Sequence, residues 1–265
     1  MWYRQHLPGS ISLKAIMKPE AQSVDRAELA RFAAIAPQWW DESGAFRPLH
    51  HLNAARLSFV RDRLAAHFER AAKTRRPFAG LKLLDIGCGG GLMSEPLTRL
   101  GCRVTGIDAD DAALAVARGH AREQDLAIEY RAESLESLAK KKARFDVVLA
   151  LEIVEHVTDP EEFLRLAAGL VEPGGALILS TLNRTPKAYL FAIVGAEYLL
   201  RWLPRGTHAF RKFRRPSELA LALRRAGLEI ADMAGLNYDP VRSLWRLGPD
   251  LQVNYLIFAR NPRRK

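Results

Sequence analysis

Cysteine is scarce in this chain: Cys88 and Cys102 are its only two. That excludes a small secreted scaffold held by disulfides and makes a reducing cytosol the expected compartment. No apolar run is long enough to cross a bilayer. The longest candidate, residues 188–203, is interrupted by Gly195, Glu197 and Arg201. Acid is in the minority, with 30 Asp and Glu against 40 Lys and Arg and a net charge of +10. Such an excess points to nucleic acid, membrane phospholipid or an acidic ligand, or else to a plain solvated basic surface. The opening segment lacks acid altogether, with Arg4, Lys14 and Lys18 before Glu20. It has the composition of a transit peptide, and equally that of a disordered tail or of a stretch upstream of a start at Met17, the two readings preferred here. No repeat or low-complexity tract interrupts the rest. What is present, 265 residues of which 48% are hydrophobic, is enough to bury a full α/β core.

The most informative stretch is Leu83-Leu84-Asp85-Ile86-Gly87-Cys88-Gly89-Gly90-Gly91. A buried strand runs into a glycine-rich turn and then a helix, and a second apolar run, Val104-Thr105-Gly106-Ile107, ends at Asp108. This is the layout of a βαβ nucleotide-binding half. Gly87, Gly89 and Gly91 let the backbone turn tightly and approach a ligand, and Asp108 can accept hydrogen bonds from ribose hydroxyls or simply cap a turn. The Gly-x-Gly-x-Gly spacing behind Asp85 departs from the dinucleotide fingerprint and resembles the class I methyltransferases that bind S-adenosylmethionine. Cys88 inside the turn reads as a small residue that fits, in preference to a nucleophile.

Along the chain, residues 1–25 read as a disordered tail and 26–80 as a helical cap. The cap holds a helix over 25–37, a loop from Trp39 to His51, a helix over 54–72 with Leu57, Val60, Leu64 and Phe68 on one face, and a basic linker. The core occupies 81–265. Strands are expected at 81–86, 103–107, 127–130, 145–151, 176–180, 228–234 and 254–259, with helices over 93–100, 112–123, 160–170 and 217–226. Pro173-Gly174-Gly175 marks a turn. The alternation predicts an α/β fold, a mostly parallel sheet with helices on both faces. An antiparallel C-terminal edge is implied only by the likeness to class I methyltransferases.

In such sheets the ligand lies at the carboxyl ends of the strands. Gly87 to Gly91, Asp108, Glu133 and Leu151 then surround one crevice. There a cofactor carboxylate would meet backbone N–H groups, its ribose Asp108, and its adenine Glu133. Just beyond the central strand lies Glu152-Ile153-Val154-Glu155-His156. If this segment opens a helical turn, Glu152, Glu155 and His156 share a face. They could hold a divalent ion, Mg²⁺ by the carboxylates or Zn²⁺ with the imidazole, that acidifies a phenol. Alternatively His156 is a metal-free general base, or the two carboxylates merely cap a helix.

Beyond these shared features the chain resembles the ubiquinone-biosynthesis O-methyltransferase family from about residue 28 to 260. The likeness rests on Trp39-Trp40-Asp41, Phe46-Arg47-Pro48-Leu49-His50, Leu52-Asn53, Arg56-Leu57, Glu152-x-x-Glu155-His156, Ser180-Thr181-Leu182-Asn183-Arg184, Val194-Gly195-Ala196-Glu197-Tyr198, Pro204-x-Gly206-Thr207-His208, Leu247-Gly248-Pro249 and Val253-Asn254-Tyr255. The resemblance implies two O-methylations, of a 2-polyprenyl-6-hydroxyphenol and of 3-demethylubiquinol. It implies a cofactor held by Arg56, Gly87, Asp108 and Leu151, to which the reading of the turn and crevice adds Asp85, Gly89, Gly91 and Glu133, and it implies divalent metal at Glu152, Glu155 and His156. Catalysis would fall to His156 and Glu155, by in-line methyl transfer onto a phenolate. The longer N-terminus and Lys140-Lys141-Lys142 depart from the family pattern without touching a motif.

A polyprenyl acceptor lives in the bilayer, which gives the insert over 184–215 a purpose. Tyr189, Leu190, Phe191, Ile193, Val194, Tyr198, Leu199, Leu200 and Trp202 precede Arg205, Arg211, Lys212, Arg214 and Arg215. Apolar anchors beside cations suit an anionic membrane surface, and equally a core-packing helix with a basic exit. The expectation is a bacterial cytoplasmic enzyme on the inner membrane, with other ubiquinone-biosynthesis proteins as partners by family likeness. The competing reading, an RNA-binding methyltransferase, is permitted by charge but lacks interleaved basic and aromatic residues. His50, His51 and His208 are reserve candidates, and methylation of another small phenol is the remaining alternative.

Overall fold

The computed structural model describes residues 36–41, 44, 46–191, 210–239, 242 and 244–262. The expected tail, most of the 25–37 helix and residues 192–209 of the insert, with His208, lie outside them.

A 21-residue helix, α1 (Arg47–His67), precedes the sheet. It starts earlier than the apolar spacing suggested, because Pro48 sits in its first turn, where the missing N–H costs nothing. The sheet follows as β1 (Lys82–Ile86), β2 (Arg103–Asp108), β3 (Glu129–Ala132), β4 (Phe145–Leu151), β5 (Val171–Leu182), β6 (Glu229–Asp239), β7 (Leu244–Gly248) and β8 (Asn254–Arg260). Between strands run α2 (Ser94–Arg99), α3 (Asp111–Glu123), α4 (Leu135–Lys140), α5 (Pro160–Gly169) and α6 (Pro216–Arg225). Side chains mark the starts: Asp110 caps α3 by accepting from Ala112 N–H, and Asp159 caps α5 by accepting from Glu162 N–H.

The eight strands run in the order β3-β2-β1-β4-β5-β8-β6-β7. The pairs from β3 to β5 are parallel, and β5–β8, β8–β6 and β6–β7 are antiparallel. The antiparallel edge implied by the family likeness is therefore present, with one strand more than expected. The extra strand is β7, in a stretch expected as loop: its short run carries Arg246 and Gly248 and is largely exposed, so no buried alternation announces it. Two further differences are local. Residues 135–140 form α4, initiated by Ser134. Pro173-Gly174-Gly175 lies inside β5, beside a register shift on β4.

Both faces of the sheet are covered. On one face Leu84, Val148, Leu177 and Tyr255 pack with α4, α5 and α6. On the other Leu83, Val147, Ile178 and Phe258 pack with α1 and α2 through Phe59, Leu64 and Leu97. Neighbouring residues of a strand serve opposite faces, as the two-residue period requires, and both faces are apolar because both are buried. The carboxyl ends of β3, β2, β1 and β4 lie side by side at one end of the sheet, so the loops that follow them are neighbours there.

Candidate functional site

The glycine turn follows β1. Gly87, Gly89 and Gly91 have φ of 71°, 50° and 88°, the left-handed region that glycine enters without cost. A Cβ on Gly91 would also run into the Tyr130 hydroxyl. Behind the turn Asp85 is 3% exposed and accepts a hydrogen bond from Ser94 Oγ at 2.7 Å. Burial pushes its carboxyl up to about 6, against the Ser94 bond. Asp85 thus ties the turn to the first residue of α2 from inside. Cys88 is buried, and burial and the Asp85 charge push its thiol well up, so it is no activated nucleophile.

At the tip of β2, Asp108 Oδ2 accepts from Gly89 N–H at 2.8 Å and Oδ1 from Asp110 N–H at 2.9 Å. Burial raises its pKa while these backbone donors oppose the rise. The carboxylate is therefore held at fixed height beside the glycine turn. Glu133, after β3, is engaged from its own side by Ser137 Oγ at 2.9 Å and Lys141 Nζ at 2.5 Å. Burial pushes its pKa up, and these cationic and hydroxyl partners more than reverse it. Its carboxylate is thus tied to α4 and to the residue that ends it, Lys141.

After β4 the chain turns sharply. Glu152 has φ 52°, rare for a residue with a side chain, and its carboxylate is the focus of a network. Oε1 accepts from Ser180 Oγ at 2.7 Å and from Asn254 Nδ2 at 3.0 Å, and lies 2.7 Å from Arg56 Nη2. Arg56, on α1, is 3% exposed, and its Nε and Nη2 are buried without a well-aligned acceptor. Glu155 turns inward instead. Thr181 Oγ1 donates to its Oε2 at 2.7 Å, while Oε1 is buried without a partner. Burial and the Glu152 charge raise its pKa to about 7, with His156 pulling the other way. The Glu152-x-x-Glu155-His156 segment is a turn closed by His156 N–H to Ile153 O at 2.9 Å, not the start of a helix. The expected shared face is therefore absent. Among the described residues no three His, Cys, Asp or Glu side chains are grouped to hold a metal ion. The physical reason is that Glu152 is turned toward Arg56 and Glu155 toward Thr181, so the donor set as placed does not fit one shared divalent ion.

The sequence reading passed over a second layer above the turn. The Trp39 ring lies on Gly89 and Gly90, where an added Cβ would come within 2.5 Å of it, and stacks on Phe46 at 3.9 Å and 14°. Its Nε1 is buried without a hydrogen-bond partner. Trp40 Nε1 donates to Gly90 O at 3.1 Å, and its ring stacks on His120 at 3.6 Å and 10°. His120 Nδ1 is 2.6 Å from Glu95 Oε1, a fully buried carboxylate also met by Arg99 at 3.2 Å. The signal available was the Trp pair itself, two large aromatics outside any apolar period. His50 Nε2 bonds Trp39 O at 2.8 Å, which ties it to this aromatic layer, and His51 is exposed.

The Trp39 Nε1–H and the Arg56 Nε–H are buried without an acceptor, and the left-handed backbone of Gly87, Gly89 and Gly91 keeps side chains out of the turn. A family profile described as a methyltransferase domain matches residues 56–232. The chain is 50% identical over 248 residues to a ubiquinone biosynthesis O-methyltransferase of Ruegeria pomeroyi, covering 93% of this chain and 100% of that one. It is 48% identical to one from Chelativorans sp., covering 92% and 97%. A mitochondrial protein of the same description from Arabidopsis thaliana is 46% identical, with 96% and 80% covered. Among solved structures, an S-adenosylmethionine-dependent methyltransferase from Thermotoga maritima aligns with TM-score 0.58 at 18% identity over 89% of this chain and 99% of that one. Magnesium protoporphyrin IX methyltransferase from Synechocystis, with S-adenosylhomocysteine bound, aligns with TM-score 0.56 at 19% identity, covering 82% and 84%. At these identities the structural likeness shows the fold alone.

Proposed function

The chain belongs to the ubiquinone biosynthesis O-methyltransferase family, and from that premise we propose which acceptors it methylates and which residues do the work. It is an S-adenosylmethionine-dependent O-methyltransferase of ubiquinone biosynthesis. The acceptors are a 2-polyprenyl-6-hydroxyphenol and 3-demethylubiquinol, each carrying a phenolic hydroxyl to be methylated. The observation that carries this reading is the near-full-length similarity to relatives so described, joined to an ionisable turn, Glu155-His156, at the tip of β4 next to the glycine turn.

S-adenosylmethionine, when bound, supplies an electrophilic methyl on a sulfonium. The chain's own residues bind and orient. Asp108 accepts from the ribose hydroxyls, Arg56 meets the carboxylate with its buried guanidinium, and Gly87, Gly89 and Gly91 present backbone. Leu151 packs beside them on the core under α1. His156 takes the phenolic proton on a ring nitrogen, which leaves a phenolate oxygen as nucleophile. Glu155, close enough for its pKa to feel His156, offsets the imidazolium charge. The phenolate oxygen so formed would accept the methyl in line, with S-adenosylhomocysteine as the neutral leaving group. No step is assigned to a metal, because Glu152 is committed to Arg56, Ser180 and Asn254.

The acceptor's prenyl tail gives the exposed Tyr189, Leu190 and Phe191, at 47%, 55% and 57%, a role on an anionic membrane surface beside Arg211, Lys212 and Arg215. Among the described residues no helix is long and apolar enough to cross a membrane. A peripheral location on the bacterial inner membrane and contact with other proteins of the pathway follow as part of the same proposal.

The test is methyl transfer to short-chain demethylubiquinol under reducing conditions, with EDTA and then with added Mg²⁺ or Zn²⁺. Turnover in EDTA that falls roughly a hundredfold or more in His156→Gln, with cofactor binding kept, supports the general base. Turnover only with metal would replace this assignment of roles. No turnover on either acceptor, with methylation of RNA, would overturn the substrate reading.

A further inference from the structure

The glycine turn is gripped from two sides. From the sheet, Asp108 takes the Gly89 N–H. From outside, Trp39 lies flat between Phe46 and Gly89–Gly90, and Trp40 takes the Gly90 carbonyl. Two features of this outer grip are more than packing. The Trp39 Nε1–H is buried with no acceptor, although an unmade buried hydrogen bond costs about 1–3 kcal/mol. And Trp40 is not loosely placed: its ring is stacked on an imidazole whose other edge is paired with a fully buried carboxylate, Glu95. Glu95 and His120 come from α2 and α3, the helices that follow the cofactor strands β1 and β2.

We propose that Trp39 and Trp40 are cofactor-positioning residues, in which Trp39 covers the glycine turn and gives its Nε1–H to an oxygen of bound S-adenosylmethionine, and Trp40, seated on His120 and Glu95, fixes the Gly90 peptide for it. This rests on the assignment of the glycine turn as the cofactor site.

The proposal is tested by titrating wild type, Trp39→Phe, Trp40→Phe and His120→Gln with S-adenosylhomocysteine by calorimetry, and by measuring the KM for S-adenosylmethionine, kcat, and the melting temperature without ligand. Trp39→Phe keeps an aromatic ring and loses only the donor, so its dissociation constant should rise roughly ten- to a hundredfold, the range of a hydrogen bond to a charged group. KM should rise with it while kcat stays within about threefold. His120→Gln, which removes the stacked ring but touches no ligand, should raise the dissociation constant by a smaller factor, roughly three- to tenfold. Unchanged affinity in Trp39→Phe and His120→Gln, with or without a lower melting temperature, would overturn the proposal and leave the pair structural. A fall in kcat at constant KM would overturn it equally. Wild type that fails to bind S-adenosylhomocysteine would overturn the cofactor site itself, a result distinct from both.

Discussion

Replacing Glu155 by Gln should change how stability depends on pH. The carboxyl is 3% exposed, receives one hydrogen bond from Thr181 and leaves Oε1 unpartnered. Burial, reinforced by Glu152, raises its pKa from 4.5 to about 7. A carboxyl with a higher pKa in the folded than in the unfolded chain keeps its proton longer when folded. Between the two values the folded state binds more protons, so its contribution is complete below about 4.5 and is lost as pH rises through about 7. At about 1.4 kcal/mol per pKa unit the loss is about 3 kcal/mol, a large share of an ordinary domain's 5–15 kcal/mol. Glutamine has no proton to lose. Relative to wild type, the variant should therefore gain about 3 kcal/mol between roughly pH 5 and pH 8. Urea unfolding of both proteins at half-unit steps measures this. The difference between them is the quantity to follow, because Asp85, raised to about 6 by its own burial, slopes both curves alike. A difference that stays flat across the range would refute the reading of Glu155 as an uncompensated buried acid and would point to a cation at its free oxygen.

Three other outcomes follow from the geometry. Arg56→Met leaves the half-buried Glu152 carboxylate without its cation but with Ser180 and Asn254, and should lower the unfolding free energy by about 1–3 kcal/mol in urea, with much of it recovered in Arg56→Met/Glu152→Leu. Gly91→Ala combines φ of 88° with a clash on Tyr130 and should cost more than the roughly 1–2 kcal/mol of the backbone conformation alone, read as a lower melting temperature. Asp108→Ala should weaken S-adenosylhomocysteine binding by roughly tenfold or more in calorimetry while the fold persists, since its carboxylate bonds only backbone N–H groups, of Gly89 in the glycine turn and of Asp110 in its own loop, among the hydrogen bonds described above.

The parallel half of the fold was legible because β1, β2 and β4 are buried along most of their length and the loops after β1 and β2 carry their own chemistry: glycines at Gly87 to Gly91, an acid at Asp108. β7 was not, because an exposed edge strand needs no apolar alternation, and its pairing with β6 is set by backbone bonds. The acidic turn was legible as composition and misread as geometry. Helical spacing would put Glu152, Glu155 and His156 on one face, but the left-handed backbone of Glu152 turns its carboxylate onto the distant Arg56 while Glu155 is held by Thr181, although the charges stay close enough to act on one another. Partners far along the chain leave no local signal. Trp39 and Trp40 illustrate the same limit: their quarry, Gly89, Gly90 and His120, lies far down the sequence.

The strand order has a consequence for how the molecule is made. β8, the last strand in chain order, lies in the interior of the sheet, between β5 and β6. Because it runs antiparallel to β5, its first residue, Asn254, reaches the end where Glu152 sits and bonds it at 3.0 Å. During synthesis β6 and β7 emerge with no sheet to join, and the tip of β4 waits for a donor that leaves the ribosome about a hundred residues later. Closure of the sheet and completion of the acidic turn are thus one late event, and a chain stopped short of β8 would hold a finished glycine turn beside an unfinished catalytic one.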